Sequence, residues 1–172
     1  MTTKIILLAV LIVLLTGCSA GVAVDTEAET VFETASKIAE IDLPSGYSAD
    51  FSAHMLGYTA AAFNPGDGHS HLYLIQSEKE SDGEKLASIL NQIAPGTYDP
   101  QTRMTVIETR PVTVREQEGT LSISEGVTSE GESYRQAVVA FHGKGGPALV
   151  VLSEPVTRWN QETVDAFIAS IR

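Results

Sequence analysis

A short loop in the middle of the chain carries side chains that commonly bind metal ions. It reads Asp67-Gly68-His69-Ser70-His71, with two imidazoles and one carboxylate within five residues. If Ser70 is extended, His69 and His71 face the same side of the chain about 6.5 Å apart, a spacing at which both could bind one metal ion. Beyond Asp67, the sequence places no third strong ligand nearby, so a polar loop leading into a strand is the alternative interpretation.

Asp50, Ser52 and His54 include the residue types of a hydrolase triad and alternate along one predicted strand. Neighbouring positions on one strand face are about 6.6 Å apart, which is long for a serine–histidine hydrogen bond. No glycines of a nucleophile elbow flank Ser52. A solvated strand face is the favoured interpretation, and hydrolysis is the least favoured function.

Other reactive patterns in the chain also have simpler interpretations. Gly143-Lys144-Gly145-Gly146 has the composition of a phosphate-binding loop, but no Ser or Thr follows Lys144, and Pro147 leads into a predicted strand. It predicts a hairpin turn. The glutamates of the middle region follow no regular spacing, so they predict no carboxylate pair for acid–base catalysis and are expected to be solvated; these are Glu108, Glu116, Glu118, Glu125, Glu130 and Glu132.

The N-terminus has the three parts of an export signal. Lys4 precedes an unbroken apolar run from Ile5 to Leu15, and the small residues Thr16 and Gly17 stand before Cys18. The apolar run covers roughly 16 Å as a helix, about half of a hydrocarbon core, so it is too short for a permanent transmembrane helix. Leu15-Thr16-Gly17-Cys18 resembles the lipobox of bacterial lipoproteins. Its cysteine is the only one in the chain.

The lipobox resemblance implies where the protein resides. Cys18 would become the first residue of the mature chain and carry a thioether-linked diacylglycerol with palmitate-type acyl chains, which anchor a protein stably to a membrane. Ser19 stands where an aspartate usually signals inner-membrane retention in Gram-negative lipoproteins. The resemblance therefore implies an outer-membrane protein facing the periplasm, if the organism is Gram-negative. A buried free cysteine after an ordinary signal peptide is the alternative.

Composition limits the partners of the mature chain. The 172 residues have a formal net charge of −11, which disfavours nucleic acid as a partner. The expected organisation is a signal peptide over residues 1–17, a lipidated flexible tether over residues 18–29, and one domain over residues 30–172. A domain of this length buries a sufficient core without disulfides.

Hydrophobic periodicity predicts helices, strands and turns along this domain. A helix is expected from Thr30, a three-stranded meander from Tyr47 to Ile75, a helix behind a capping box at Ser81-Asp82-Gly83-Glu84, and a helix after the N-cap Asn160. Pro95-Gly96 is expected to end the second helix. The expected later strands are Met104 to Thr109, Val112 to Val114, Thr120 to Ser124, Tyr134 to His142 and Ala148 to Leu152, of which the last two are apolar on both faces and are placed centrally.

Strands that follow one another with few crossover helices predict an α+β fold with a largely antiparallel sheet packed with helices in an α/β/α sandwich. The domain resembles the Mog1/PsbP-like group in four features: an apolar-Pro-x-Gly-aromatic turn at Leu43 to Tyr47, a helix between two groups of strands, a hairpin from Tyr134 to Leu152, and a closing segment from Trp159 to Ile171. The resemblance implies a module that binds protein partners, with no catalytic residues to transfer.

Two functions follow as hypotheses. The first is a membrane-anchored extracytoplasmic lipoprotein that binds a protein or envelope component without catalysis or a cofactor. The alternative is a periplasmic metal-binding lipoprotein that uses His69 and His71, with Asp67 nearby.

Overall fold

A computed structural model describes residues 22–93, 104–128 and 131–172 of the protein. The predicted signal peptide, Cys18 and the predicted helix stop at Pro95-Gly96 lie outside these ranges. Within them, no helix has the length and apolar character needed to cross a bilayer.

The described residues form three helices and one eight-stranded sheet. The strands are β1 (Val22–Asp25), β2 (Ser48–Met55), β3 (Tyr58–Asn64), β4 (His71–Ser77), β5 (Thr105–Val114), β6 (Gln117–Val127), β7 (Ser133–His142) and β8 (Pro147–Pro155). The helices are α1 (Ala28–Ile38), α2 (Gly83–Ile93) and α3 (Gln161–Ser170). The strand order is β1-β2-β3-β4-β8-β7-β6-β5, and the seven neighbouring pairs are antiparallel. The predicted α+β class, the meander and the central place of β7 and β8 are confirmed.

Helices cover both faces of the sheet. On one face, α1 and α3 bury Val31, Ile38, Phe167 and Ile168 against apolar side chains of the strands. On the other face, α2 packs Leu86 and Leu90 against β3, β4 and β8. Burial of this apolar surface is the main favourable contribution to folding. The sandwich holds two cores because the sheet separates them.

The N-terminal boundary of the folded domain differs from its prediction. Residues 22–25, expected to lie in a flexible tether, form β1 and pair with β2 from Val22↔Met55 to Asp25↔Ser52. α1 begins at Ala28, two residues before the predicted start. Periodicity did not predict β1, because the strand has only four residues and lies at the edge of the sheet.

A bulge changes the predicted faces of β2. The alternation from Tyr47 to Met55 predicts one buried face, but the register with β3 shifts between Ala49 and Phe51. The extra residue puts Ala49 and Phe51 against different cores, since a one-residue slip exchanges the two faces of a strand. Ser52, predicted to be solvated, is therefore buried on the α1 side with 5% of its surface exposed.

The cap of α2 is also one residue away from its predicted position. Asp82, not Ser81, accepts a hydrogen bond from the backbone N–H of Lys85 at 2.8 Å. The hydroxyl of Ser81 is buried without a hydrogen-bond partner among the described residues. By contrast, Asn160 caps α3 as predicted, accepting from the N–H of Thr163 at 3.0 Å.

Two strands predicted separately on either side of Pro111 are one strand, β5. The proline is tolerated because β5 lies at the edge of the sheet, where a missing backbone donor need not break a ladder. The two residues that connect β5 to β6, Arg115 and Glu116, both have left-handed φ angles. Gly143–Gly146 forms the predicted turn between β7 and β8, closed by the bond from Gly143 N–H to the Gly146 carbonyl at 2.8 Å.

Candidate functional site

The loop that carries the predicted metal ligands is organised by the carboxylate of Asp67. Asp67 Oδ1 accepts from the backbone N–H groups of His69 and Ser70 at 2.9 and 2.8 Å, and Oδ2 accepts from the Ser70 hydroxyl at 2.8 Å. Arg158 forms an ion pair with Oδ2 at 3.0 Å. Partial burial acts to raise the pKa of Asp67, but these hydrogen bonds and the Arg158 charge outweigh it and lower the pKa to about 2. The carboxylate is thus already satisfied by the protein.

The two histidines of this loop have different neighbours. His69 Nδ1 lies 3.1 Å from the Tyr134 hydroxyl and 3.6 Å from Glu132. His71 is the first residue of β4, and its ring stacks on Tyr73 with centroids 5.8 Å apart. Burial lowers the pKa of His71, and its Nδ1 is buried without a hydrogen-bond partner among the described residues. His71 is therefore favoured in its neutral form.

The structure does not assemble the predicted metal site. Ser70 lies outside β4, and the Asp67 carboxylate accepts from its backbone N–H and its hydroxyl. In the ranges that the structure describes, no group of three His, Cys, Asp or Glu side chains is placed to hold a metal ion. The site from His69, His71 and Asp67 stays a prediction, and in this structure the Asp67 carboxylate shapes the loop.

A buried polar network lies near this loop at the same end of the sheet. The Tyr47 hydroxyl donates to Glu154 Oε1 at 2.7 Å, and Glu154 is buried. Burial is the largest cause that raises the pKa of Tyr47, followed by the hydrogen bond to Glu154, while the Arg158 charge opposes the rise. These contacts connect the turn before β2 to the end of β8.

The residues of the supposed triad do not form one. His54 Nδ1 lies 2.9 Å from the Thr59 hydroxyl on the neighbouring strand. Ser52 shares the face of His54 but lies two residues away along β2, and Asp50 lies at the bulge. No hydrogen bond within the described residues joins the three side chains, so their arrangement supports no nucleophile–base pair.

One face of β2 does contribute to a cleft that the sequence did not indicate. The cleft lies between α1 and the edge of the sheet and has a volume of about 630 Å³, within the range of small-molecule sites. Three α1 residues at helical spacing form one wall. The lining residues are Ala23, Val24, Asp25, Thr30, Thr34, Lys37, Ser52, Ala53, His54, Thr59, Gln76, Glu78 and Gly145.

Two of the most buried residues that line this cleft are polar. Ser52 and Gln76 are only 5% and 7% exposed, yet both line the cleft. Gln76 Oε1 accepts from the Gly145 N–H at 2.9 Å, which leaves its amide NH₂ as the group to donate. Lys37 makes no ion pair with any residue in the described part of the chain. Hydroxyl, amide and ammonium groups together suit hydrogen bonding to a polar ligand.

Sequence reasoning missed this cleft for a physical reason. Thr30, Thr34 and Lys37 form a polar stripe on α1, which is ordinarily the solvated side of an amphipathic helix. The bulge in β2 places Ser52 beneath that stripe. A prediction that assumes uninterrupted alternation along β2 does not place Ser52 next to the polar stripe of α1.

Comparison with protein-family models and with curated proteins finds no match to this chain.

Proposed function

We propose that the protein is a lipid-anchored extracytoplasmic lipoprotein whose domain is a non-catalytic binding module for an envelope component. The observation that carries the anchor is the coincidence of Leu15, two small residues and the single cysteine, Cys18, at the end of an apolar segment. Ser19 favours the outer membrane, facing the periplasm, if the organism is Gram-negative. The signal segment and tether are residues 1–17 and 18–21.

The cleft beside α1 supports the binding part of the proposal. Ser52 and the Gln76 amide are buried, line the cleft together with Lys37, and retain hydrogen-bonding capacity. Buried polar groups ordinarily find partners, so polar groups that face a cleft indicate a place where a ligand or ordered water binds. The weak resemblance to the Mog1/PsbP-like group agrees with a binding role, since members of that group mostly bind protein partners.

The anchor is tested by mass spectrometry of the protein extracted from membranes. We expect a mature chain that begins at Cys18 and carries the mass of a diacylglyceryl group and an additional acyl chain. The variant Cys18→Ala should stay uncut by the lipoprotein-specific peptidase and carry no lipid. An unmodified Cys18 in the mature wild-type protein contradicts the anchor.

The binding site is tested by photo-crosslinking in cells. A benzophenone amino acid at Lys37 reports on the cleft, and the same amino acid at the exposed Glu33 of α1 is the matched control. We expect a discrete adduct from position 37 that is absent from position 33. Its loss when Thr34 is changed to a bulky residue would assign the adduct to the cleft. No adduct from position 37, or equal adducts from both positions, contradicts binding there.

A further inference from the structure

The polypeptide enters the domain at a defined end of the sheet. β1 begins at Val22, which pairs with Met55, the last residue of β2. Since β1 and β2 are antiparallel, the start of β1 lies beside the β2–β3 turn. Three residues, Ser19 to Gly21, separate Cys18 from Val22, and the four Cα–Cα steps between them span at most about 14 Å even when fully extended. A lipid on Cys18 therefore keeps this end of the sheet close to the bilayer surface.

The β2–β3 turn carries an unusual residue. Leu56 and Gly57 connect Met55 to Tyr58 and have φ angles of 49° and 83°. Both central residues of such a two-residue turn have left-handed backbones, which favour Asn, Asp or Gly over leucine. Leu56 is also 81% exposed, the highest value among the large hydrophobic residues described as exposed. Neither turn formation nor core packing accounts for a leucine at this position.

We infer that Leu56 inserts into the membrane interface next to the Cys18 lipid, so that this end of the sheet faces the bilayer. The inference rests on the proposed lipid anchor. It joins two independent observations: the short connection that ends beside Met55, and an exposed apolar side chain at the adjacent turn. A bilayer is the favoured occupant because the anchor places one within reach of Leu56.

Charge around the turn indicates which lipids suit this contact. Glu78 donates its backbone N–H to the Gly57 carbonyl at 2.9 Å, and Lys79 follows it. Lys144, in the β7–β8 turn at the same end of the sheet, forms an ion pair with Glu40. Acidic and basic side chains are mixed here, so the contact depends on apolar insertion and not on anionic headgroups. His54, Thr59 and Glu78 also line the polar cleft, which would then lie at the membrane surface.

The test uses the lipidated full-length protein. Because acylation occupies the only native cysteine, Leu56→Cys introduces the single reactive thiol, which is labelled with an environment-sensitive fluorophore. Ser45→Cys, in an exposed turn before β2 and so at the opposite end of that strand, is the matched control. Each protein is reconstituted into phosphatidylcholine vesicles with and without a lipid that carries a nitroxide on its acyl chain.

We expect a blue-shifted emission and strong nitroxide quenching at position 56, with neither at position 45. Lipid on Cys18 by mass spectrometry but no quenching at position 56 overturns the insertion and leaves the anchor intact. A blue shift at position 56 without nitroxide quenching also overturns it, because the fluorophore is then shielded by protein and not by lipid. Absence of lipid from Cys18 overturns both the anchor and the insertion.

Discussion

The hydroxyl of Tyr47 donates a hydrogen bond of 2.7 Å to the buried carboxylate of Glu154, joining residues 107 positions apart in the chain. It connects the turn before β2 to the last residues of β8. A charged acceptor strengthens a hydrogen bond, and its burial makes loss of the donor unfavourable. This contact therefore stabilises the position of the turn against the central strand β8.

Tyr47→Phe should lower the free energy of unfolding by about 2 kcal/mol, because the Glu154 carboxylate loses its donor without regaining water. Chemical denaturation of residues 22–172, produced without the signal segment, measures the change. The control is a double-mutant cycle with Glu154→Gln: the two effects should be far from additive, since both remove one contact. Additive effects would mean that the hydroxyl and the carboxylate act independently.

Asp67 predicts a specific response to acid. Its pKa in the folded protein is about 2, below the ordinary 3.8, so the ionised carboxylate stabilises the fold above pH 4 and this contribution is lost as pH falls towards 2. Asp67→Asn should reduce stability near neutral pH by on the order of 2 kcal/mol, and the difference from wild type should shrink below pH 4. Unfolding measured from pH 2 to pH 7 checks this. Glu118→Gln, at an exposed position of β6, is the control and should show little difference; a pH-independent loss in Asp67→Asn would contradict the assignment.

Regular periodicity predicts the elements that lie over a core. Val164 and Phe167 recur on one face of α3, and the two-sided apolar pattern of β7 and β8 predicts their central places. The pattern fails where an extra residue or an edge intervenes. The bulge beside Asp50 moves Ser52 to the opposite face, and Pro111 is accommodated at the edge although it separates two predicted strands. Periodicity alone reveals neither the bulge nor the edge position, because neither depends on the composition of the strand.

The candidate site could be predicted only in part. The spacing of His69 and His71 suggests joint ligation, but the role of Asp67 depends on Arg158, which lies far away in the sequence. The same limitation applies to the cleft, where a stripe of α1 faces strands that are brought together by long-range pairing. The chemistry of a side chain can be inferred from the sequence, whereas the residues that it contacts depend on the fold.

The position of β1 predicts where the folded domain can be truncated. A chain that begins at Val22 keeps the four-residue pairing with β2, and one that begins at Thr26 loses it and exposes the edge of β2. The shorter chain should be about 2 kcal/mol less stable, because ladder hydrogen bonds are lost while some ordering entropy is regained. A chain from Thr30, the predicted domain start, also loses the first residues of α1. Thermal and chemical unfolding compare the three; equal stability of the first two would show that β1 contributes nothing to the fold.

Leu56→Asn should stabilise the fold and weaken the contact with the membrane. Asn-Gly suits a turn with two left-handed residues better than Leu-Gly, so residues 22–172, produced without the signal segment, should gain about 1 kcal/mol in their free energy of unfolding. The lipidated variant should nevertheless leave phosphatidylcholine vesicles faster than wild type, as measured by transfer between vesicles, because it has lost an inserted side chain.

Val127→Asn is the matched control: Val127 is an exposed aliphatic residue paired with Ser133 at the opposite end of the sheet. That variant should gain no stability and transfer at the wild-type rate. A loss of stability in Leu56→Asn would show that the leucine makes folding contacts, and an unchanged transfer rate would remove its role at the membrane.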